Sequence, residues 1–169
     1  MNATKNRHGS AVITLPSDTV IVITRVFDAP AELLFKAYTT PELVKRWWGF
    51  AEDAWKVCEI DLKVGGKWRY VATHTNENGS FDVAFNGEYL EIEAPTRLVS
   101  TEMFEGVEDP TLKPTLNTLT FDEVDGVTTL TNHIECHTQF VRDMIIESGM
   151  ESGMQISMDR MEDLAREAA

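Results

Sequence analysis

The spacing of hydrophobic and polar positions changes character three times along the chain. Residues 19–27 (TVIVITRVF) are rich in β-branched side chains and predict a strand. Residues 28–49 turn to helical spacing. Pro30 opens a short helix in which Leu34, Ala37 and Tyr38 share a face. Thr40-Pro41-Glu42 repeats the device, with Thr40 as N-cap and Pro41 at the first helical position; this second helix stops by Trp47, because Gly49 follows. From residue 55 the period becomes two, and strands are predicted over 55–62, 67–74, 81–92, 97–104, 115–123 and 127–136. Along them Trp68, Tyr70, Ala72 and His74 share one face, as do Asn117, Leu119 and Phe121, and Leu130, Asn132, Ile134 and Cys136. Asn78-Gly79 and Asp125-Gly126 supply the positive φ of tight hairpins, and Gly87 marks a bulge or bend within its strand. Residues 139 to the end read as one long helix carrying a stripe of Met150, Met154, Met158, Met161 and Ala165, with Glu151, Asp159, Arg160 and Glu162 on other faces. Gly149 and Gly153 each cost about 1 kcal/mol against alanine in a helix, which points to a kink or a close approach near its start. Ahead of all this, residues 1–10 read as a disordered tail and 11–15 as a short edge strand ended by Pro16.

The order of elements gives an α+β fold. A meander of about seven antiparallel strands must cover one face, and the final helix is the element long enough to do it. The sheet is therefore expected to curl around that helix, with the two short helices closing one end and a space enclosed between.

Composition narrows the function classes. The net charge of -13, from 28 acidic against 15 basic residues, argues against nucleic acid, whose phosphates need clustered Lys and Arg. No apolar run reaches the length of a membrane span or a signal peptide, so a cytoplasmic location is expected. Cys58 and Cys136 lack CxxC context and read as free thiols.

Motifs for catalysis and metal binding are scarce. His133 and His137 have H-x-x-x-H spacing, but along a strand they stand roughly 13 Å apart and cannot share an ion. His133-Ile134-Glu135 lacks the P-C-x-x-C of zinc deaminases. Neither G-x-S-x-G nor S-x-x-K occurs, and Gly65-Gly66 is a turn between strands without G-K-[ST] after it. No metal or cofactor is expected. Asn117 and Asn132 lie on otherwise apolar faces, so each amide either meets a neighbouring polar group or faces a cavity. The methionine stripe is the core face of the last helix, or the wall of an apolar site. His74 is a histidine of the core or pocket rim, or a general base.

Several stretches together carry a family resemblance. They are residues 23–48 (ITRVFDAPAELLFKAYTTPELVKRWW), 61–70 (DLKVGGKWRY), 86–92 (NGEYLEI) with Pro95 and 97–99 (RLV), 148–154 (SGMESGM) and 161–164 (MEDL). In these the chain resembles the SRPBCC, or START-like (birch-pollen-allergen-like), superfamily. More narrowly it resembles the group named after the activator of the ninety-kilodalton heat-shock protein ATPase. The resemblance implies a helix-grip fold with a cavity between sheet and C-terminal helix, spanning residues 19–169 as a single domain behind an N-terminal tail of residues 1–18. Superfamily members bind lipids, hormones or polyketides, some catalyse cyclisation or hydrolysis, and the eukaryotic namesake stimulates a chaperone in the stress response.

Three functions are expected in descending order. The first is a non-enzymatic module for a small hydrophobic or aromatic ligand, lined by Trp47, Trp48, Tyr70, Phe85, Tyr89, Met103, Phe121, Met150 and Met154 and anchored by Asn117, Asn132 and His74. The second is an interaction module for a chaperone or other protein partner, using the acid-rich stretch 102–109 with Glu102, Glu105, Glu108 and Asp109. The third is an enzyme acting on an aromatic or polyketide-like substrate, with His74 as general base. A homodimer is a further candidate assembly.

Overall fold

The computed structural model describes residues 7–49, 54–107 and 109–168. Its elements run β1 (Val12–Ser17), β2 (Val20–Phe27), α1 (Ala31–Thr39), α2 (Pro41–Trp47), β3 (Ala54–Ile60), β4 (Lys67–Asn76), β5 (Gly79–Glu93), β6 (Arg97–Phe104), β7 (Thr115–Val124), β8 (Val127–Glu135), α3 (Gln139–Glu147) and α4 (Met150–Ala168). Among the described residues eight antiparallel strands form one curved sheet in the order β1-β2-β8-β7-β6-β5-β4-β3. The count exceeds the expected seven because β1 joins as a full edge strand. It continues through Pro16 rather than ending there, since an edge strand tolerates a missing N–H and the register slips between Thr14 and Ser17.

Local chemistry places the hairpins. Asp125 (φ 53°) and Gly126 (φ 78°) form the expected two-residue turn, with Val124 paired to Val127. The β4–β5 turn differs from expectation by one residue. Asn76 pairs with Gly79, so Glu77-Asn78 is the turn and the Asn76 side chain accepts from the Asn78 N–H at 2.8 Å. Gly87 is a point of close approach: a Cβ there would lie 1.8 Å from the Thr101 carbonyl oxygen and 2.4 Å from Trp68 Nε1. The register shift in β5 falls later, between Tyr89 and Glu91.

The core lies between the sheet and the helices, around Phe27, Leu34, Val44, Phe121, Leu130 and Met161. Pro41 does open α2, but Thr40 makes no side-chain cap. The N-terminus of α1 is instead capped from the sheet, where Glu123 Oε2 accepts from the Ala31 N–H at 2.8 Å. The expected single C-terminal helix is two. Gly149 takes a φ of 80°, which breaks the helix between α3 and α4 at the position where a kink was anticipated. Residues 7–11, read from sequence as tail and strand start, are fastened to α4. His8 meets Asp163, the Gly9 N–H donates to Asp159 Oδ1, and Ala11 exchanges two backbone hydrogen bonds with the Gln155 amide. Residues 1–6, at the start of the expected tail, lie outside the described residues.

A buried ion-pair cluster joins β2 to α4. The alternation of β2 turns Ile21, Ile23, Arg25 and Phe27 inward, and the Arg25 side chain is fully buried. Its guanidinium donates to Glu162 at 2.5 Å and to Asp159 at 2.6 Å, and stands 4.8 Å from the Phe27 ring centroid. Glu162, off the methionine face in the sequence pattern, is thus buried, because Arg25 supplies the charge that makes its burial affordable.

Candidate functional site

A cavity of about 490 Å³ lies between the sheet and α4. Three sources build its wall. Inward positions of β4, β5 and β6 contribute Trp68, Tyr70, Val83, Phe85, Tyr89, Leu98, Ser100 and Glu102; those of β7, β8 and β2 contribute Asn117, Leu119, Asn132, Ile134 and Ile23. The α1–α2 segment gives Tyr38, Trp47, Trp48 and Gly49. The α3–α4 junction gives Ser148, Gly149, Met150, Gly153, Met154, Ser157 and Met158. The helix break matters here, because glycine at 149 and 153 keeps side chains out of this part of the wall.

The paired tryptophans divide their work. Trp47 is buried, donates from Nε1 to the Ala37 carbonyl at 2.8 Å and packs edge-on against Tyr38 at 4.8 Å, which locks α2 to α1. Trp48, past the end of α2, enters an aromatic cluster with Trp55 at 5.3 Å, Tyr70 at 5.5 Å and Phe85 at 5.6 Å. The contacts with Tyr70 and Phe85 are edge-to-face, a geometry that adds to the burial of each ring. The Gly49 carbonyl then accepts from Arg160 at 2.9 Å, which ties the end of this segment to α4.

Across the sheet floor runs a polar strip in an otherwise apolar wall. Ser100 pairs with Asn117, and Leu119 pairs with Asn132, so Asn117 and Asn132 are diagonal neighbours on adjacent strands. Asn117 Nδ2 donates to Glu102 Oε2 at 3.3 Å, and Asn117 Oδ1 accepts from Thr115 Oγ1 at 3.2 Å. Asn132 Oδ1 is buried and accepts no hydrogen bond from a described residue. Burial pushes the Glu102 carboxyl up to about 7, with the Asn117 hydrogen bond partly opposing it. Burial also raises the phenols of Tyr38, Tyr70 and Tyr89, the Glu102 charge adding to the rise at Tyr38 and Tyr70. All three phenols are therefore neutral donors or acceptors near neutral pH.

The structure brings Trp47, Trp48, Tyr70, Phe85, Tyr89, Asn117, Asn132, Met150 and Met154 to this wall. It does not bring His74, Met103 or Phe121. His74 lies on the inward face of β4 but toward the β4–β5 turn, half-buried, with its ring 5.4 Å from the exposed Phe81. Met103 occupies the face of β6 opposite to Leu98, Ser100 and Glu102. Phe121 is buried under α1, edge-on to Phe35 at 5.6 Å and Tyr38 at 5.9 Å, and belongs to the core. The acid-rich stretch does not form one face. Glu102 points into the cavity, Glu105 is held in a two-point ion pair by Arg69, and Asp109 accepts from Thr111, while Glu108 lies outside the described residues. Arg69, with help from Asn86, keeps the Glu105 carboxyl below its ordinary range. Cys58 and Cys136 are free thiols, each pushed by burial to about 11. Among the described residues no cluster of His, Cys, Asp and Glu could hold a metal ion, and no helix is long and apolar enough to cross a membrane.

The sequence reading missed Glu102 as a wall residue. The signal was available in the alternation Leu98, Ser100, Glu102, which places all three on one face of β6.

Solved structures share this fold over most of the chain. A Rhodobacter sphaeroides protein is 26% identical, covers 91% of this chain and 96% of its own, and superposes with a TM-score of 0.78. A Staphylococcus epidermidis protein is 27% identical over 94% of this chain and 95% of its own, with a TM-score of 0.76. An HSP90 activator from Plasmodium falciparum is 25% identical over 70% of this chain and 73% of its own, at 0.52. No curated protein shows significant similarity to the chain. The family model described as activator of Hsp90 ATPase homolog 1-like protein matches residues 28–166, and with the helix-grip architecture around this cavity the chain belongs to that family.

Proposed function

We propose that the protein binds a small hydrophobic or aromatic ligand in the cavity between the sheet and α4. The observation that carries this reading is the wall itself: about 490 Å³ of space bounded by aromatic rings and methionines, with a few polar groups confined to one strip. Ligand sites are commonly about 300–1,000 Å³, mostly apolar, with a small number of placed polar groups. A wall of Met150, Met154 and Met158 adapts to ligands of differing outline. His74, outside the wall, gives no support to a general-base role on a ligand held there.

Tryptophan emission tests the reading directly, since Trp47, Trp48 and Trp68 line the cavity. Titration with a panel of fatty acids, flavonoid-like polyphenols and naphthalene derivatives is expected to give saturable shifts in emission for at least one class. Absence of a saturable change across the panel, together with unaltered thermal stability, would count against it.

A second reading follows from the family and from the HSP90 activator among the structural relatives, and makes the protein a chaperone cofactor. Stimulation of a purified chaperone ATPase by this chain supports it; an unchanged ATPase rate at low and moderate salt removes it.

A further inference from the structure

We propose that the ligand of this cavity is a cation: an aromatic or otherwise apolar frame bearing a protonated amine, with Glu102 as its counter-charge. The inference rests on the ligand-binding reading and deepens it. Its basis is an imbalance of charge in the wall. Among the described lining residues, Glu102 is the one carboxylate, and no Lys, Arg or His lines the cavity with it. Among the described residues the fully buried acid elsewhere, Glu162, has a basic partner, Arg25 at 2.5 Å. Glu102 has the neutral Asn117 amide at 3.3 Å. A half-buried carboxylate turned into a largely apolar wall without a cation is costly, and a ligand that supplies one recovers that cost on binding.

The surroundings suit an organic cation rather than a metal ion. The aromatic cluster of Trp48, Tyr70 and Phe85 stands in the same wall, and ring faces attract ammonium groups most strongly where water is excluded. The buried Asn132 Oδ1 is a second acceptor lacking a donor from the described residues. An anionic head group would meet Glu102 with no compensating base.

The titratable groups around Glu102 define how pH acts. Tyr38 from α1, Tyr70 from β4 and Tyr89 from β5 all have phenols raised above the ordinary range, and the lining residues of α4 are Met, Ser and Gly. Glu102 is thus the group in this wall that changes charge between pH 5.5 and 8, around its value of about 7. Protons and the ammonium compete for it. Affinity for the cation should fall about 30-fold from pH 8 to pH 5.5, following the ionised fraction, while affinity for a neutral isostere should not fall.

Calorimetric titration with three naphthalene probes tests this: 1-naphthylmethylamine as the cation, 1-naphthylmethanol as its neutral isostere and 1-naphthoate as the anion. At pH 8 the amine is expected to bind at least about tenfold more tightly than the alcohol, with the naphthoate weakest, and Glu102→Gln should abolish the preference for the amine while keeping the alcohol's affinity. The pH dependence of the amine-to-alcohol ratio in the unmodified protein reads the same property should the variant fold poorly. If the alcohol binds as tightly as the amine at pH 8, or the ratio is independent of pH, the cation inference is overturned while ligand binding stands. If the naphthoate binds best, the same holds. If none of the three binds, both readings fall together.

Discussion

Replacing Glu102 by glutamine should make the protein more stable, and by an amount that depends on pH in a defined direction. The Glu102 carboxyl stands at about 7 in the folded protein against 4.5 for the free side chain, because burial disfavours its charge and the Asn117 hydrogen bond offsets this only in part. A folded-state value above the unfolded one means that the native state binds the proton more tightly. Stability is therefore greatest below about 4.5 and is lost as pH rises through 7. The full difference corresponds to about 3 kcal/mol, at ~1.4 kcal/mol per unit, and about 2 kcal/mol of it falls between pH 5.5 and 8. Glutamine keeps the shape and an oxygen for Asn117 Nδ2 but carries no charge. Urea unfolding of both proteins at pH 5.5 and pH 8 measures the effect. The native protein should lose about 2 kcal/mol more than Glu102→Gln over that interval, with equal m-values. Parallel pH dependence within about 0.5 kcal/mol would refute the desolvation of this carboxyl in the cavity wall.

Three further substitutions probe the frame around the cavity. Glu162→Ala leaves the fully buried Arg25 with Asp159 alone and should cost about 3–5 kcal/mol in urea unfolding, whereas breaking the exposed Lys36–Glu32 pair should stay within about 0.5 kcal/mol. Gly87→Ala forces a Cβ onto the Thr101 carbonyl oxygen at 1.8 Å and should lower stability by about 3 kcal/mol or more, seen as a fall in Tm; an unchanged Tm contradicts the close approach. Gly153→Leu should separate stability from binding. It removes a helix-interior glycine, worth up to about 1 kcal/mol in favour of folding, and fills part of the cavity, so 1-naphthylmethanol affinity measured by calorimetry should drop at least about tenfold.

The architecture was legible because strand alternation persists through a long meander and because Asp125-Gly126, Pro30 and Pro41 punctuate it. Alternation also put Asn117, Asn132, Tyr70 and Tyr89 on the inner face. It tells which face a residue occupies, however, and not how far along the strand the covering helices extend. His74 shares a face with Tyr70 but lies farther along β4, toward the β4–β5 turn, and Phe121 shares one with Asn117 but lies under α1. Glu102 was hidden for a different reason. In a run of acidic residues a glutamate reads as solvated surface, and only its register with Leu98 and Ser100 turns it inward. Arg25 was hidden likewise in a β-branched run, its partners Asp159 and Glu162 being far away in sequence. The break at Gly149 was anticipated as a kink, but a full turn from one helix to another depends on a positive φ that composition alone does not impose.

Methionine methyl resonances offer the most direct view of the central claim, that the cavity is where a small apolar ligand binds. With the methionine methyls labelled with carbon-13, titration with 1-naphthylmethanol should shift Met150, Met154 and Met158, which line the wall, and leave the exposed Met144 and the outward Met103 in place. Shifts confined to Met144, or a spectrum unchanged at saturating probe, would contradict the account.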